Sequence, residues 1–144
     1  MIPNGRMVVD TNVVSELMNP QTHPAVKAWL DRIAAKELFL ASTSLSELRL
    51  GIAILPLGRR KSYLTAVLEN ILVSLFQGRI LAFDMDAAEL YGEIVSGARR
   101  RGQAISMADG QIAAIAAVHG YAMATRDTKP FVAAGVSVIN PWEE

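Results

Sequence analysis

The chain has 144 residues, 51% of them hydrophobic and 19% charged. That describes a globular protein and, by length, one domain spanning residues 1–144. Its 14 basic and 14 acidic residues cancel, which argues against a whole-chain electrostatic grip on nucleic acid. The absence of cysteine excludes disulfides, thiolate metal sites and a cysteine nucleophile and suits the cytoplasm, and no apolar run of about 18 residues offers a membrane span.

The N-terminal residues Met1–Arg6 lack the apolar core of a signal peptide. Met7–Val9 is a short apolar strand that closes on Asp10. A helix is expected from Asn12 to Met18, stopped by Asn19-Pro20, and a second from Pro24 to Ala35 with Val26, Trp29, Leu30 and Ile33 on one face. Leu38–Ala41 reads as a strand, and Ser44–Leu55 as a helix ended by Pro56. Arg59–Phe76 continues with helical spacing until Gly78, before a strand at Ile80–Phe83. Helices follow at Asp86–Arg101 and Ser106–His119, with Gly102 and Gly120 as their stops. Two more strands are expected at Tyr121–Thr125 and Val136–Ile139. Strands alternating with helices imply right-handed crossovers and a mainly parallel sheet, so the class is α/β.

Four acids stand at positions where such a fold could gather them. Asp10 and Asp127 follow strands; Glu47 and Asp109 are expected in the first turns of helices. In open α/β sheets ligands bind beyond the carboxyl ends of the strands, so these acids, 37, 62 and 18 positions apart, can share one crevice. Singly, each has a plainer role. Asp10 can cap a helix, Glu47 and Asp109 can complete S-x-x-E/D boxes with Ser44 and Ser106, and Asp127 can serve a turn. Together they repel one another unless a hard cation neutralises them, which makes metal-assisted phosphodiester hydrolysis the leading chemistry. Thr11, Asn12, Ser46 and Thr125 are neighbouring donors that would hold the carboxylate rotamers.

Other chemistries have little support. His23 and His119 pair with no nucleophilic serine motif, and neither a G-x-G-x-x-G nor a Walker A sequence occurs. The triplets Arg59-Arg60-Lys61 and Arg99-Arg100-Arg101 read either as solvated helix ends or as phosphate contacts. Trp29 is expected in the core and Trp142 to pack the tail onto the body, neither as a base-stacking platform. The mean hydropathy of +0.27 is high for so small a domain and suggests a partner surface.

At these same residues the chain resembles the PIN-domain ribonucleases, more narrowly the VapC/FitB-type toxins of type II toxin–antitoxin modules. The resemblance rests on Val9-Asp10-Thr11-Asn12-Val13-Val14-Ser15-Glu16, Ser46-Glu47-Leu48-Arg49-Leu50-Gly51-Ile52, Ala108-Asp109-Gly110-Gln111-Ile112-Ala113-Ala114-Ile115-Ala116, Ala124-Thr125-Arg126-Asp127 and Ile139-Asn140-Pro141-Trp142. Five motifs in order span nearly the whole chain. Many family members read T-R-N-x-x-D-F in the fourth motif; here Asp127 stands at the Asn position and Pro130 where the later Asp would be, the shift seen in the FitB-like branch. The resemblance implies a three-layer α/β/α fold and an endoribonuclease that uses Mg²⁺, with Mn²⁺ as substitute. It implies Asp10 and Asp109 as direct ligands, Glu47 and Asp127 as acids acting through water or at a second ion, and Arg126 as a phosphate contact. It further implies a cognate antitoxin, a homodimer, RNA as substrate and DNA contact through the antitoxin alone. The alternatives are a subunit of a DNA-binding regulatory complex with little nuclease activity, and a Mg²⁺-dependent phosphatase or a 5′-nuclease acting on DNA.

Overall fold

The computed structural model describes residues 5–144, so residues 1–4 of the N-terminal segment judged above lie outside the described residues. Five parallel strands form one sheet: β1 (Met7–Val9), β2 (Leu38–Ala41), β3 (Ile80–Leu81), β4 (Ala122–Ala124) and β5 (Val138–Ile139), in the order β3-β2-β1-β4-β5. The seven helices among the described residues are α1 (Thr11–Leu17), α2 (Pro24–Arg32), α3 (Ser42–Ala53), α4 (Arg59–Ile71), α5 (Met85–Arg100), α6 (Met107–His119) and α7 (Lys129–Ala133).

Side chains alternate across the pleat, and this alternation builds two cores. Met7 and Val9 of β1, Leu38 and Leu40 of β2, and Ala122 and Ala124 of β4 face the layer of α1 to α4, where Trp29, Leu68 and Phe76 are fully buried. Val8, Ala41 and Met123 face the opposite layer, where the Ala-rich α6 lies flat on the sheet and Phe131 of α7 closes the end. The result is the expected α/β/α sandwich. A sheet covered on both faces explains why its strands are uniformly apolar.

Several boundaries differ from expectation for identifiable reasons. The second helix stops at Arg32, and Ala35–Glu37 forms a separate 3₁₀ turn. The long segment after Gly58 is α-helical to Ile71 and then loosens into a π turn, Leu72–Phe76, with Gln77 in the left-handed region (φ 50°). Strand β2 runs directly into α3, so the third helix begins at Ser42 rather than Ser44. Ser44 is therefore no cap: its hydroxyl is buried without a partner, and the cap role for Glu47 disappears with it. Helix α7 was absent from the periodicity because five residues carry no helical repeat; Pro130 in its first turn suits a helix start.

Of the basic triplets, Lys61 donates to the carbonyls of Ala53 (3.0 Å) and Leu55 (3.3 Å), tying the start of α4 to the end of α3. Arg101 donates to the Ala133 carbonyl at 2.7 Å, and Arg99 and Arg100 stand in the last turn of α5, where cations suit the helix dipole. Arg60 differs: it lines the groove between α1 and α4 with Ser15 and Leu64.

Candidate active site

The strand order reverses at β1. From β1 the chain moves outward through β2 and β3, then returns to place β4 on β1's other side. Ligands of open α/β sheets bind at such a reversal, beyond the strand ends. Asp10 follows β1 directly and Thr125 follows β4, so both leave the sheet at that point.

Asp10 has two attachments. Oδ1 accepts from the Thr11 N–H (2.8 Å), which makes Asp10 the N-cap of α1, and Oδ2 accepts from the Thr125 hydroxyl (2.7 Å). The capping and cleft readings of Asp10 therefore both hold. The Thr125 hydroxyl, fully buried, also accepts from Asn12 Nδ2 (3.3 Å) and from the Asp127 N–H (3.1 Å), so one oxygen links both strand ends. Asn12 Oδ1 in turn accepts from the Arg126 N–H at 3.3 Å.

Glu47 enters from the second turn of α3, not the first, and its Oε1 accepts from the Thr11 hydroxyl at 2.7 Å. Asp109 enters from the first turn of α6, whose N-cap Ser106 accepts from the Asp109 N–H at 3.1 Å. Asp127 lies in the loop between β4 and α7 and is exposed. All four acids line one open cleft of about 520 Å³, together with Thr11, Asn12, Arg126 and Trp142. Ser46 does not join them: its hydroxyl donates back to the Ser42 carbonyl (3.1 Å), the usual exposed-helix behaviour of serine, because α3 begins two residues early.

The cleft contains a fifth acid that sequence reasoning passed over. Glu16 lines it from α1, one turn beyond Asn12, and its Oε2 accepts from the His23 N–H at 3.0 Å. The i, i+4 spacing from Asn12 was the available signal.

The electrostatics follow from this crowding. Burial pushes the Asp10 carboxyl up to about 6; the Thr125 and Thr11 hydrogen bonds oppose the rise, and the charges of Asp109 and Glu47 add to it. Burial also raises Asp109, against its hydrogen bond with Ser106, with Asp127 and Glu47 adding repulsion. Among the described residues no three Asp, Glu or His side chains are gathered tightly enough to cage an ion by themselves. The donors are nonetheless all hard oxygens around one opening. That donor set suits a small divalent cation that keeps several of its own waters.

The PIN-domain family model matches residues 7–136. The chain belongs to the PIN-domain family, and within it to the VapC/FitB type. It is 44% identical to the VapC ribonuclease Y4jK of Sinorhizobium fredii over 137 residues, covering 95% of this chain and 98% of that protein. It is 45% identical to toxin FitB of Neisseria gonorrhoeae over 138 residues, covering 96% and 99%. The crystal structure of FitAcB from Neisseria gonorrhoeae superposes with a TM-score of 0.89 at 45% identity, over 96% of this chain and 99% of that one. The structure of FitAB bound to a DNA fragment gives 0.88 at 44% identity, over 94% and 95%.

Proposed function

We propose that this chain is a divalent-metal-dependent endoribonuclease, the toxin of a type II toxin–antitoxin pair. The observation that carries the reading is the delivery of Asp10, Glu47, Asp109 and Asp127 by four separate elements to one cleft at the sheet's reversal point. Full-length similarity to proteins named as a VapC ribonuclease and as toxin FitB supports it.

Asp10 and Asp109 would hold Mg²⁺ or Mn²⁺ directly, with Glu47 and Asp127 acting through water. Bound there, the ion supplies the positive charge that lets water attack a phosphodiester without a protein nucleophile. The chain's own residues do the rest. Thr125 fixes the Asp10 rotamer, and Thr11 fixes that of Glu47. Glu47 and Asp127, both exposed, take up the proton released by the attacking water. Arg126 offers its guanidinium donors to the phosphate.

The exposed apolar residues Leu50, Ile54, Leu57, Tyr63 and Val73 crowd α3, α4 and the turns beside them. We assign this surface to a cognate antitoxin and to a second copy of the chain. Contact with DNA belongs to the antitoxin. A second reading, a subunit of a DNA-bound regulatory complex with little nuclease activity, draws on the FitAB relative solved on DNA.

Cleavage of a defined RNA pool by the wild type and by Asp10→Ala, in Mg²⁺ and in EDTA, separates the two. Metal-dependent cuts that the variant loses are expected. A folded, antitoxin-free wild type that leaves every RNA intact would move the assignment to the regulatory complex.

A further inference from the structure

We propose that Arg126 and Trp142 form a shelf on the rim of the carboxylate cleft, on which one nucleobase of a single-stranded RNA stacks beside the scissile phosphate. The inference rests on the nuclease reading and adds a specificity element to it. Trp142 lines the cleft together with the acids, and the Arg126 guanidinium carbon lies 5.1 Å from the centroid of its ring. A cation in a cleft of carboxylates should pair with one of them. Among the described residues the one ion pair is Arg49–Glu69, so Arg126 rests on the indole instead. Its side-chain donors have no protein acceptor among the described residues, and the residue stays exposed above the ring.

The shelf is held from both sides. The Arg126 N–H donates to Asn12 Oδ1 (3.3 Å) and the Trp142 N–H to Asn140 Oδ1 (3.0 Å), while Pro141 is buried. Part of the indole packs against the core. Supported guanidinium planes and aromatic rings are surfaces on which unpaired bases stack. The cleft that holds the shelf also adjoins two further grooves. The cleft shares Thr11 and Glu47 with a groove along α3, and Asp109 and Asp127 with a second groove that Lys129 also lines. A strand laid through both would put a phosphate at the acids and a base at Arg126.

The test is fluorescence-anisotropy binding of labelled six-nucleotide oligo(A) and oligo(U), intact or with one abasic nucleotide scanned along them. It is run in Mg²⁺ on an Asp109→Asn background to prevent cleavage. One abasic position should weaken binding roughly 5- to 150-fold, the usual range for one stacked base. Arg126→Ala, Arg126→Lys and Trp142→Leu should each weaken the intact oligomers by a similar factor and become indifferent to the abasic position, while Trp142→Phe keeps most of the affinity. A flat abasic scan, or Arg126→Lys binding like its parent, overturns the shelf and leaves Arg126 with its phosphate contact alone. That failure is distinct from failure of the nuclease reading, in which no oligomer binds and the wild type cuts no RNA. Thermal midpoints control for folding; should Trp142→Leu not fold, Arg126→Lys and the abasic scan decide alone.

Discussion

The Asp10 carboxylate both caps α1 and lines the crowded cleft, and these two placements oppose each other in energy. Capping α1 stabilises the fold, but burial without a cation raises the carboxyl from 3.8 to about 6. Between those values the native state binds more protons than the unfolded chain, so stability falls as pH rises through the window and the loss is complete above about pH 7. At 1.36 kcal/mol per pKa unit the loss is about 3 kcal/mol. Asp10→Asn should therefore raise the thermal midpoint of the metal-free protein above pH 7 and lose that advantage below about pH 4, as differential scanning calorimetry across pH would read. A gain independent of pH would refute this account. Thr125→Val removes the hydroxyl that fixes Asp10 and should cost cleavage about 10- to 100-fold, the range for partners that orient metal ligands. Asp109→Asn should lose about 100-fold or more; full Mg²⁺-dependent cleavage by that variant would sink its assignment as a ligand. The meeting of the four acids in one cleft was legible in the sequence because Asp10 and Asp127 follow strands and Asp109 opens a helix, while Glu47 reached the cleft from one turn further along α3 than expected. Ser46 was misread because direct continuity of β2 into α3 moves the helix start, and hydrogen-bond partners follow such shifts. Glu16 was passed over although its i, i+4 spacing from Asn12 was visible, and the place of Trp142 at the cleft was not legible because it depends on where the tail returns.

Helices α5 and α6 show how a glycine inside an element can carry packing information. A Cβ at Gly110 would stand 2.7 Å from Tyr91 Cε2 and 2.9 Å from Val95 Cγ2, closer than real contacts permit. Alanine is ordinarily the better helix former by about 1 kcal/mol, but overpacking here should reverse the sign. Gly110→Ala is expected to destabilise by about 1–3 kcal/mol in urea titration, and shortening Tyr91 to Leu in the same chain should recover part of it. Gly110 also follows Asp109, so a shift of α6 would move a cleft acid and lower cleavage in parallel. The sequence placed α6 correctly from Ser106 and Gly120 at its ends. It could not show the tight crossing with α5, because that contact depends on three-dimensional registry. The π turn at Leu72–Phe76 was hidden for a related reason: its apolar spacing still fits a helix, and only the backbone hydrogen bonds distinguish it.

Across the molecule, the fold was readable because alternating strand and helix patterns leave few topologies once crossovers are right-handed. The same topology brings like charges together, and a cation should relieve their repulsion. Mg²⁺ or Mn²⁺ at 100 times its dissociation constant would stabilise the chain by about 2.7 kcal/mol, read as a rising thermal midpoint that EDTA reverses and Asp10→Ala lacks. A midpoint indifferent to both ions would count against the metal assignment. The apolar face gives a separate expectation from the proposed second copy: the wild type should sediment as a dimer and Ile54→Asp or Leu57→Asp as a monomer of unaltered fold, because both side chains are exposed.

The Lys61 tie between α3 and α4 bears on that face. The turn at residues 54–58 carries Ile54 (74% exposed) and Leu57 (93% exposed), and loops bearing such groups often lie limp in solution. Here one ammonium spans the end of one helix and the start of the next, so the turn is a knuckle on a fixed mount. A partner that grips it meets a shape already set and need not organise the turn first, so the contact can be small and still be tight.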